Sequence, residues 1–403
     1  MKSLDWKTSL SEEVRSRHMR LVAEAASRRG LKEEQFHVAP IVSWDNTIYV
    51  VRTEKHKGGV MVARFPTRPP SARPPQHSPA TQAAIARVLQ RHGVVGPTPL
   101  EVNLEEDFLL ETYVEGSNFG NVFEELAATT TNCSESKEER EAYQKEQREA
   151  VFVQLGGVLR RLHSIKTEGY GLVSYDESAY NQLRGISSCW LDFCEQHFMG
   201  GLRALEEAAA LPPDLLKELS RLYHRYQPYL AAFDKPCLVH ADLNDDNIRV
   251  ILQPSAQQQQ QLPQQLPQQL QAEAKAPQQQ QQQRNKLEIP KNGGGAVLKI
   301  SGLLDFCDSL SGDPLYDFGS LLEDEGPSVM GWVEQGYGEW SQQQKELIFF
   351  YAIFITVYYM TEGGVRYKRL PKYTQKLRLF LSRLLRNDVD LCSASGVDHL
   401  SAS

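Results

Sequence analysis

The spacing of apolar residues divides the chain into a mixed first part and a mainly helical remainder. Residues 11–29 carry apolar side chains at helical spacing, which predicts one leading helix. Three short β-branched and aromatic runs between Val38 and Pro66 predict three antiparallel strands. A helix is expected over residues 81–92, and the runs VVGPTPLEV and DFLLETYV predict two more strands. We therefore expect an N-terminal lobe over residues 1–115, built from a small sheet with one packed helix.

Beyond residue 116 the period of the apolar residues is mainly helical. A charged segment runs into the amphipathic stretch AVFVQLGGVLRRLHSI, and four further helices are expected at 188–209, 213–232, 341–361 and 372–385. The runs CLVHADL and LKISGLLDF are short and apolar, which predicts strand-and-loop elements. The chain is thus expected to be of the α+β class, with a helical C-terminal lobe over residues 116–403.

A segment rich in glutamine, proline and glycine separates those two apolar runs. Residues 254–295 lack an apolar period, so they cannot bury enough surface to offset the entropy of ordering. We expect a disordered insertion in a loop. Lengthening a loop costs only about 0.6 kcal/mol per doubling of its length, so the fold can accommodate it.

Composition and charge exclude several classes of function. The chain is 41% hydrophobic and 24% charged, with a net charge of -7 and a pI near 5.9, so it lacks the basic surface that nucleic-acid binding requires. Its most apolar stretch, Leu347 to Met360, is shorter than the roughly 18–20 residues of a membrane span. The six cysteines form no CxxC pair, and the first twenty residues have no apolar signal core. We expect a cytoplasmic protein that binds neither nucleic acid nor membrane.

The strongest chemical signal is the segment VHADLNDDNI, which has the spacing His-x-Asp-x-x-x-x-Asn between apolar residues. Transfer of a phosphoryl group to a hydroxyl needs a carboxylate that orients the nucleophile and accepts its proton, and an oxygen ligand for the metal. Asp242 and Asn247 have the side chains for these two roles, and His240 is expected to support the loop. The same spacing also occurs in solvated turns, so a second signal is needed.

A second signal follows the glutamine-rich segment. The apolar run ISGLLDF ends in Asp305, where a carboxylate is expected to bind Mg²⁺, a cation that prefers hard oxygen ligands and usually keeps one or two carboxylates beside substrate phosphates. In isolation this aspartate also fits a helix cap or a turn. The two segments together favour phosphoryl transfer.

The pair LVHADLNDDNIRV and GLLDFCDSLSGDPLYDFGSLL resembles the paired signatures of the aminoglycoside phosphotransferase and choline-kinase-like family. VARFP, FLLETYVEG and RRLHSI follow the family order, so the resemblance covers most of the chain. It implies a bilobal protein-kinase-like fold and an ATP-dependent, Mg²⁺-dependent kinase that acts on a hydroxyl of a small molecule. It also implies that Asp242 is the catalytic base and that Asn247 and Asp305 hold the metal, while Asp313 and Asp317 are structural.

The resemblance also assigns the nucleotide-binding positions. Backbone groups from Glu111 through Thr112 to Tyr113 are expected to bind adenine. The turn from Ser43 to Thr47, with Ser43 and Asn46 as its candidate residues, is expected to cover the phosphates. Two positions depart from the family pattern. The lysine that clamps the nucleotide in the family is replaced here by Arg64, whose guanidinium is a fork of donors rather than a point charge. The helix glutamate that would pair with this cation falls near Gln82.

These departures keep a second hypothesis open, a catalytically silent pseudokinase that acts as a nucleotide-binding module. A conventional protein kinase is third, because no activation loop or APE segment follows Asp305. The sequence does not specify the acceptor. Acidic and aromatic residues after the Gly-Asp-Pro segment would suit an amine among small hydroxylated substrates through cation–π attraction: Glu323, Asp324, Glu325, Trp332, Tyr337 and Trp340. Nor does the sequence indicate an oligomeric state.

Overall fold

The N-terminal part is built around a five-stranded antiparallel sheet. A computed structural model describes residues 11–32, 35–42, 46–54, 56–123, 136–176, 182–254, 296–361, 370–387 and 389. The strands of this sheet are β1 (Phe36–Val42), β2 (Asn46–Thr53), β3 (His56–Pro66), β4 (Pro99–Asn103) and β5 (Phe108–Thr112). They lie in the order β1-β2-β3-β5-β4, so the last strand in sequence inserts beside β3. All five predicted strands are therefore confirmed.

Two helices belong to this part of the chain, and they pack into different hydrophobic cores. Helix α1 (Glu12–Arg28) begins at Ser11, whose hydroxyl caps the amide of Val14, and its apolar face packs on the sheet. Helix α2 (Pro79–Arg91) begins with a proline in its first turn and a serine cap. Its buried side chains join the main core of the C-terminal part. Helix α2 thus bridges the two parts of the molecule.

The C-terminal part is mainly helical. Its helices are α3 (Lys137–Leu162), α4 (Trp190–Cys194), α5 (Gly200–Glu207), α6 (Pro213–Ala232), α7 (Leu315–Glu325), α8 (Met330–Tyr337), α9 (Gln342–Tyr359) and α10 (Leu370–Leu385). A π-helical turn, Glu195–Met199, joins α4 to α5, so the helix expected over 188–209 has an irregular centre. Helix α9 is buried from Leu347 to Val357, which confirms a core helix. Within the described residues, no helix combines the length and apolar character needed to cross a bilayer.

Two small sheets position the loops between these helices. The strands are β6 (Ser117–Asn118), β7 (Tyr170–Asp176), β8 (Gln182–Ser187), β9 (Cys237–Val239), β10 (Ile248–Pro254), β11 (Ala296–Leu303) and β12 (Leu310–Gly312). One sheet has the order β11-β10-β6 and the other β8-β7-β12-β9. The β7–β8 hairpin was not predicted, nor were α7 and α8. Gly169 has a φ of 62° and no room for a Cβ against the carbonyl of Gly185, which explains the glycine before β7.

Most of the glutamine-rich segment lies outside the described residues, so the insertion stays a prediction. The division into lobes at residue 115 also stays a prediction. The sheet-and-helix arrangement itself agrees with the expected α+β, bilobal architecture.

Candidate active site

The candidate catalytic loop, residues 240–247, connects β9 to β10 and has a strained backbone at its start. Ala241, directly before Asp242, has a φ of 68°, a left-handed conformation that costs a residue with a Cβ on the order of 1–3 kcal/mol. The carboxylate of Asp317 offsets this cost. Its two oxygens accept the amides of His240 at 3.0 Å and Ala241 at 2.7 Å. The loop is therefore anchored from α7.

Asp317 is fully buried and accepts a third hydrogen bond, from Nε2 of His163 at 2.9 Å. The other ring nitrogen of His163 contacts the hydroxyl of Tyr337 at 3.1 Å. These contacts confirm that Asp317 bonds backbone amides of the catalytic loop. Asp313, also buried, accepts the hydroxyls of Tyr229 and Tyr351 and the amide at the start of α7.

Asp242 lies at the centre of a hydrogen-bond network. Its Oδ2 accepts Nδ2 of Asn247 at 2.9 Å, and its Oδ1 accepts Nδ2 of Asn244 and the hydroxyl of Tyr359, each at 3.2 Å. Burial raises the pKa of Asp242 above its ordinary value, and the nearby charge of Asp305 adds to this effect. A raised pKa brings a carboxylate closer to the proton affinity that general-base work requires.

Asn247 is held so that its amide nitrogen is committed to Asp242. Nδ2 donates to both the backbone oxygen and Oδ2 of Asp242, each at 2.9 Å. An amide has its oxygen opposite its nitrogen, so Oδ1 of Asn247 is directed away from Asp242. That neutral oxygen has the chemistry of a ligand for a hard cation.

Leu304 connects the catalytic loop to Asp305. Its amide donates to the backbone oxygen of Asn247 at 2.9 Å, and its carbonyl accepts Nε2 of His240 at 2.8 Å. Because a carbonyl can only accept, His240 carries its proton on Nε2. Its Nδ1 then accepts the amide of Asp242 at 3.3 Å. His240 therefore supports the loop, as the sequence predicted, and aligns the two aspartates.

Asp305 has a left-handed backbone, with a φ of 57°, and a carboxylate that is 35% exposed. Burial opposes ionisation of this group. The Arg64 guanidinium, a hydrogen bond with Cys307 and smaller contributions from nearby histidines together outweigh burial, so the pKa of Asp305 lies below its ordinary value. The group is thus an ionised, partly accessible carboxylate beside the catalytic loop.

Arg64 bridges the sheet and the catalytic part of the molecule. Its Nε donates to Oε1 of Glu111 at 2.6 Å, and its Nη1 lies 3.4 Å from Oδ1 of Asp305. The pairing of β3 with β5 brings Glu111 to this position. The ion-pair partner sought near Gln82 is therefore Glu111. The amide of Gln82 instead donates to the backbone oxygens of Gln76 and Phe306.

The expected adenine segment is already partly engaged. The amide of Thr112 donates to Thr98 at 2.9 Å, and that of Tyr113 donates to Val60 at 3.2 Å. The hydroxyl of Tyr113 accepts a hydrogen bond from Arg249, just after the catalytic loop, at 2.8 Å. The segment is thereby fixed against β10, and an adenine ring has to meet groups other than these two amides.

The turn expected over the phosphates is described only in part. Ser43 lies outside the described residues. Asn46 is buried, and its Nδ2 contacts Sγ of Cys307 at 3.5 Å. Because Cys307 follows Asp305 by two residues, the structure brings Asn46 beside the candidate metal ligand.

The donor set at this site fits Mg²⁺. An ionised carboxylate and a neutral amide oxygen leave most of the octahedral shell to water and phosphate oxygens, the arrangement that Mg²⁺ usually adopts. Over the described ranges, no group of three or more histidine, cysteine or acidic side chains could hold a metal ion. Asp305 and Asn247 are therefore the best candidates for metal ligands that this part of the chain offers.

The sequence matches a known protein family. Residues 37–257, more than half of the chain, match the APH phosphotransferase enzyme family. The chain belongs to this family. No curated protein sequence matches this phosphotransferase.

Solved structures show the fold of the phosphotransferase. A GDP complex of an aminoglycoside 2′-phosphotransferase-IIIa is 16% identical, with a TM-score of 0.51, and the match covers 93% of this chain and 99% of that one. A choline/ethanolamine kinase family protein from Mesorhizobium loti is 15% identical, with a TM-score of 0.50 and coverage of 93% and 98%. These likenesses confirm the predicted α+β, kinase-like fold with its N-terminal sheet and helical C-terminal region.

Two residues whose side chains contribute to the site were not predicted from the sequence. Tyr359 closes α9 and donates to Asp242, but nothing in its local sequence separates it from other core tyrosines of that helix. The side chain of Glu111 was overlooked because that residue was assigned only a backbone role. The signal for an ion pair with Arg64 was an acidic residue buried on the neighbouring strand, because buried charges are normally paired.

The aromatic residues considered for the acceptor pocket belong to the core. Tyr337 contacts His163, Trp340 packs 4.7 Å from the ring of Phe318, and Trp332 stacks on Phe152. The acidic residues that precede them in the chain are also largely paired. Glu323 binds Lys376 at 2.7 Å, and Glu325 pairs with Arg148.

Proposed function

We propose that this phosphotransferase is an ATP-dependent kinase that phosphorylates a hydroxyl group of a small molecule. The observation that carries the proposal is the convergence of Asp242, Asn247 and Asp305, which lie on two distant segments joined by Leu304. Nucleophile activation and metal binding require these side-chain types side by side.

In the proposed reaction, the acceptor oxygen attacks the γ-phosphorus of ATP and the bond to the β–γ bridging oxygen breaks. The acceptor proton passes to Asp242, and ADP leaves. Asn247 and Tyr359 hold the Asp242 carboxylate in one orientation through hydrogen bonds of 2.9 and 3.2 Å. Bound Mg²⁺ would neutralise phosphate charge, and Asn247 and Asp305 would hold it.

Arg64 and the segment from Ser43 to Asn46 are assigned to the nucleotide phosphates, and residues 111–113 to adenine. Arg64 supports this role because Glu111 and Asp305 fix both sides of its guanidinium. A fixed fork of donors binds phosphate oxygens with less loss of side-chain entropy than a free lysine. GDP occurs in the aminoglycoside 2′-phosphotransferase complex, so the choice between ATP and GTP is part of the test.

The proposed acceptor is a small hydroxylated compound, and an amine is one candidate. Kanamycin is bound in the solved APH(2″)-IIIa complex, which is 14% identical with a TM-score of 0.50 and coverage of 92% of this chain and 99% of that one. We place the protein in the cytoplasm, because the cysteines that the structure describes are all free, as in a reducing compartment.

The pseudokinase alternative rested on Arg64 and Gln82. Glu111 supplies the ion pair that Gln82 does not, so this reason for an inactive site is removed. The test is a thermal-shift measurement with Mg-ATP and Mg-GTP, followed by an assay of nucleoside diphosphate release over a panel of small alcohols and aminoglycosides. Acceptor-dependent release supports the kinase. Stabilisation by nucleotide with no transfer to any acceptor would instead support the silent binding module.

A further inference from the structure

A cavity opens beside Asp242, and its lining includes neither Arg64 nor any residue assigned to the nucleotide. Its empty space of about 530 Å³ includes space open to solvent, so it is an open depression rather than an enclosed chamber. Asp242 and the strained Ala241 line it together with residues of α4, α7 and α9. A molecule in this cavity would therefore have one end at the proposed catalytic base.

The walls of the cavity combine apolar and aromatic side chains with polar ones, which include the carboxylates of Asp242 and Asp308. Aromatic rings from three helices and aliphatic side chains form the apolar part, among them Phe193, Tyr316, Phe354, Leu172 and Ile355. None of the lining residues is a lysine or arginine. The rings stabilise the body of a ligand by burying its apolar surface, and the two carboxylates attract a cationic group on it rather than exclude one.

One lining residue has polar groups without a hydrogen-bond partner. His197 stacks against Phe193 with ring centroids 4.4 Å apart, and its ring lies 6.4 Å from that of Tyr358. Neither ring nitrogen makes a hydrogen bond to any described residue, and the side chain is only partly buried. Its nitrogens are thus left for water or a ligand in the cavity.

His197 lies in an irregular helical turn beside the cavity. His197 is the middle residue of the π-helical turn Glu195–Met199 between α4 and α5. A π turn inserts one residue into a helix and rotates the side chains around it, and such turns are frequent at functional sites. Burial lowers the pKa of His197 below its ordinary value, so the imidazole is neutral near pH 7 and has one donor and one acceptor.

We propose that His197 is a specificity-determining residue of the acceptor pocket. The acceptor is then a hydroxylated compound whose body packs against the aromatic rings of the cavity and whose second hydrogen-bonding group meets His197. The inference rests on the proposed function for the role of Asp242. The side chains that line the cavity determine which ligands bind, however, so binding can be measured without phosphoryl transfer.

The experiment measures equilibrium binding to the full chain by calorimetry with Mg-ADP present. The probes are pairs of cyclic and aromatic alcohols, one member with a second hydroxyl or amide group and the other with hydrogen in its place. We expect the better probe of at least one pair to bind about tenfold more tightly than its partner, the value of roughly one hydrogen bond.

Three variants separate the role of His197 from a structural one. His197→Phe keeps an aromatic ring and should reduce the tenfold preference to less than twofold, while affinity for the apolar partner stays the same. His197→Gln restores a donor and an acceptor and should recover part of the preference. His92→Phe changes an exposed histidine in the N-terminal part and should leave every affinity unchanged. Melting temperatures of all three show whether each variant is folded.

The proposal is overturned if His197→Phe keeps the full preference or if no probe of the panel binds. Absence of phosphoryl transfer to a probe that does bind would count against the proposed kinase function and not against the pocket.

Discussion

Arg64 on β3 lies between Glu111 on β5 and Asp305 after β11, with 2.6 Å from Nε to the Glu111 carboxylate and 3.4 Å from Nη1 to the Asp305 carboxylate. The Arg64 and Glu111 side chains are only 10% and 5% exposed, so each charge depends on its partner. One cation thus connects the sheet to the candidate metal ligand.

Replacing Arg64 should therefore affect both stability and nucleotide binding. Arg64→Met leaves Glu111 buried without a partner, which typically costs about 3 kcal/mol of unfolding free energy. Arg64→Lys keeps the charge but cannot contact both acids as a fork, so the loss should be smaller. Urea unfolding and calorimetry with Mg-ATP measure the two effects. Arg52→Met on the neighbouring strand is the control, and an Arg64→Met protein as stable as this control would contradict the ion-pair account.

A second expectation concerns the metal. Asp305→Asn removes the ionised ligand and should weaken nucleotide binding in the presence of Mg²⁺ by at least tenfold, while the metal-free affinity changes little. Asp246→Asn is the control because its exposed carboxylate lies one residue before Asn247. The measurement is a calorimetric titration of ATP with and without Mg²⁺. Equal Mg²⁺ dependence in Asp305→Asn and the unmodified protein would exclude Asp305 as a ligand.

Tyr359 should matter for acceptor turnover and not for nucleotide affinity. Tyr359→Phe removes the hydroxyl that donates to Oδ1 of Asp242 at 3.2 Å. Loss of a hydrogen bond to a charged group is worth about 1.5–3 kcal/mol, so kcat/KM for the acceptor should fall by roughly ten- to a hundredfold. Tyr373→Phe changes a neighbouring ring, 6.2 Å away, whose hydroxyl bonds to no described residue. If both variants lose activity equally, the Tyr359 hydroxyl has no special role.

The pH dependence of stability tests the buried acid Glu325. Burial and a hydrogen bond with Asp245 raise the pKa of Glu325 to about 9, in spite of the Arg148 guanidinium beside it. The folded protein then holds a proton that the unfolded chain releases near its ordinary pKa of 4.5. The stabilisation is complete below pH 4.5 and is lost progressively as the pH rises to about 9.

Glu325→Gln cannot titrate, so its unfolding free energy should decline less between pH 5 and pH 8.5 than that of the unmodified protein, by at least ~1 kcal/mol. Urea unfolding at pH 5, 7 and 8.5 makes the comparison. Glu105→Gln removes an exposed glutamate and should leave the slope as it is. Parallel curves for Glu325→Gln and the unmodified protein would show that Glu325 is ionised throughout.

The elements of the sheet were predictable because their signals are local. Alternating apolar residues and turn residues mark β1 to β5, and capping residues mark helices such as α9, where Ser341 and Gln344 form a capping box. The β7–β8 hairpin escaped prediction because its glycines, Gly169 and Gly185, pack backbone on backbone and leave no apolar pattern. Helix α7 was missed because its polar residues Asp317, Ser320 and Glu323 are buried together with its apolar ones, so its first nine residues have no solvent-exposed polar face.

The candidate catalytic residues were predictable in type and spacing, but their connections were not. Nothing local to Arg64 indicates that β5 inserts beside its strand and brings Glu111 to it. Likewise, the contact of Tyr359 with Asp242 joins residues 117 positions apart. Such pairings depend on tertiary packing, which a single sequence does not display.

The most direct test of the account is the rate of phosphoryl transfer in Asp242→Asn at saturating nucleotide and acceptor. Asparagine keeps the shape of the side chain but cannot accept the acceptor proton, and a positioned acid–base group contributes roughly 10²- to 10⁴-fold. We predict a loss of turnover in that range, with Mg-ATP affinity within about threefold of the unmodified protein. Turnover within threefold of the unmodified protein would contradict the assignment of Asp242 as the catalytic base.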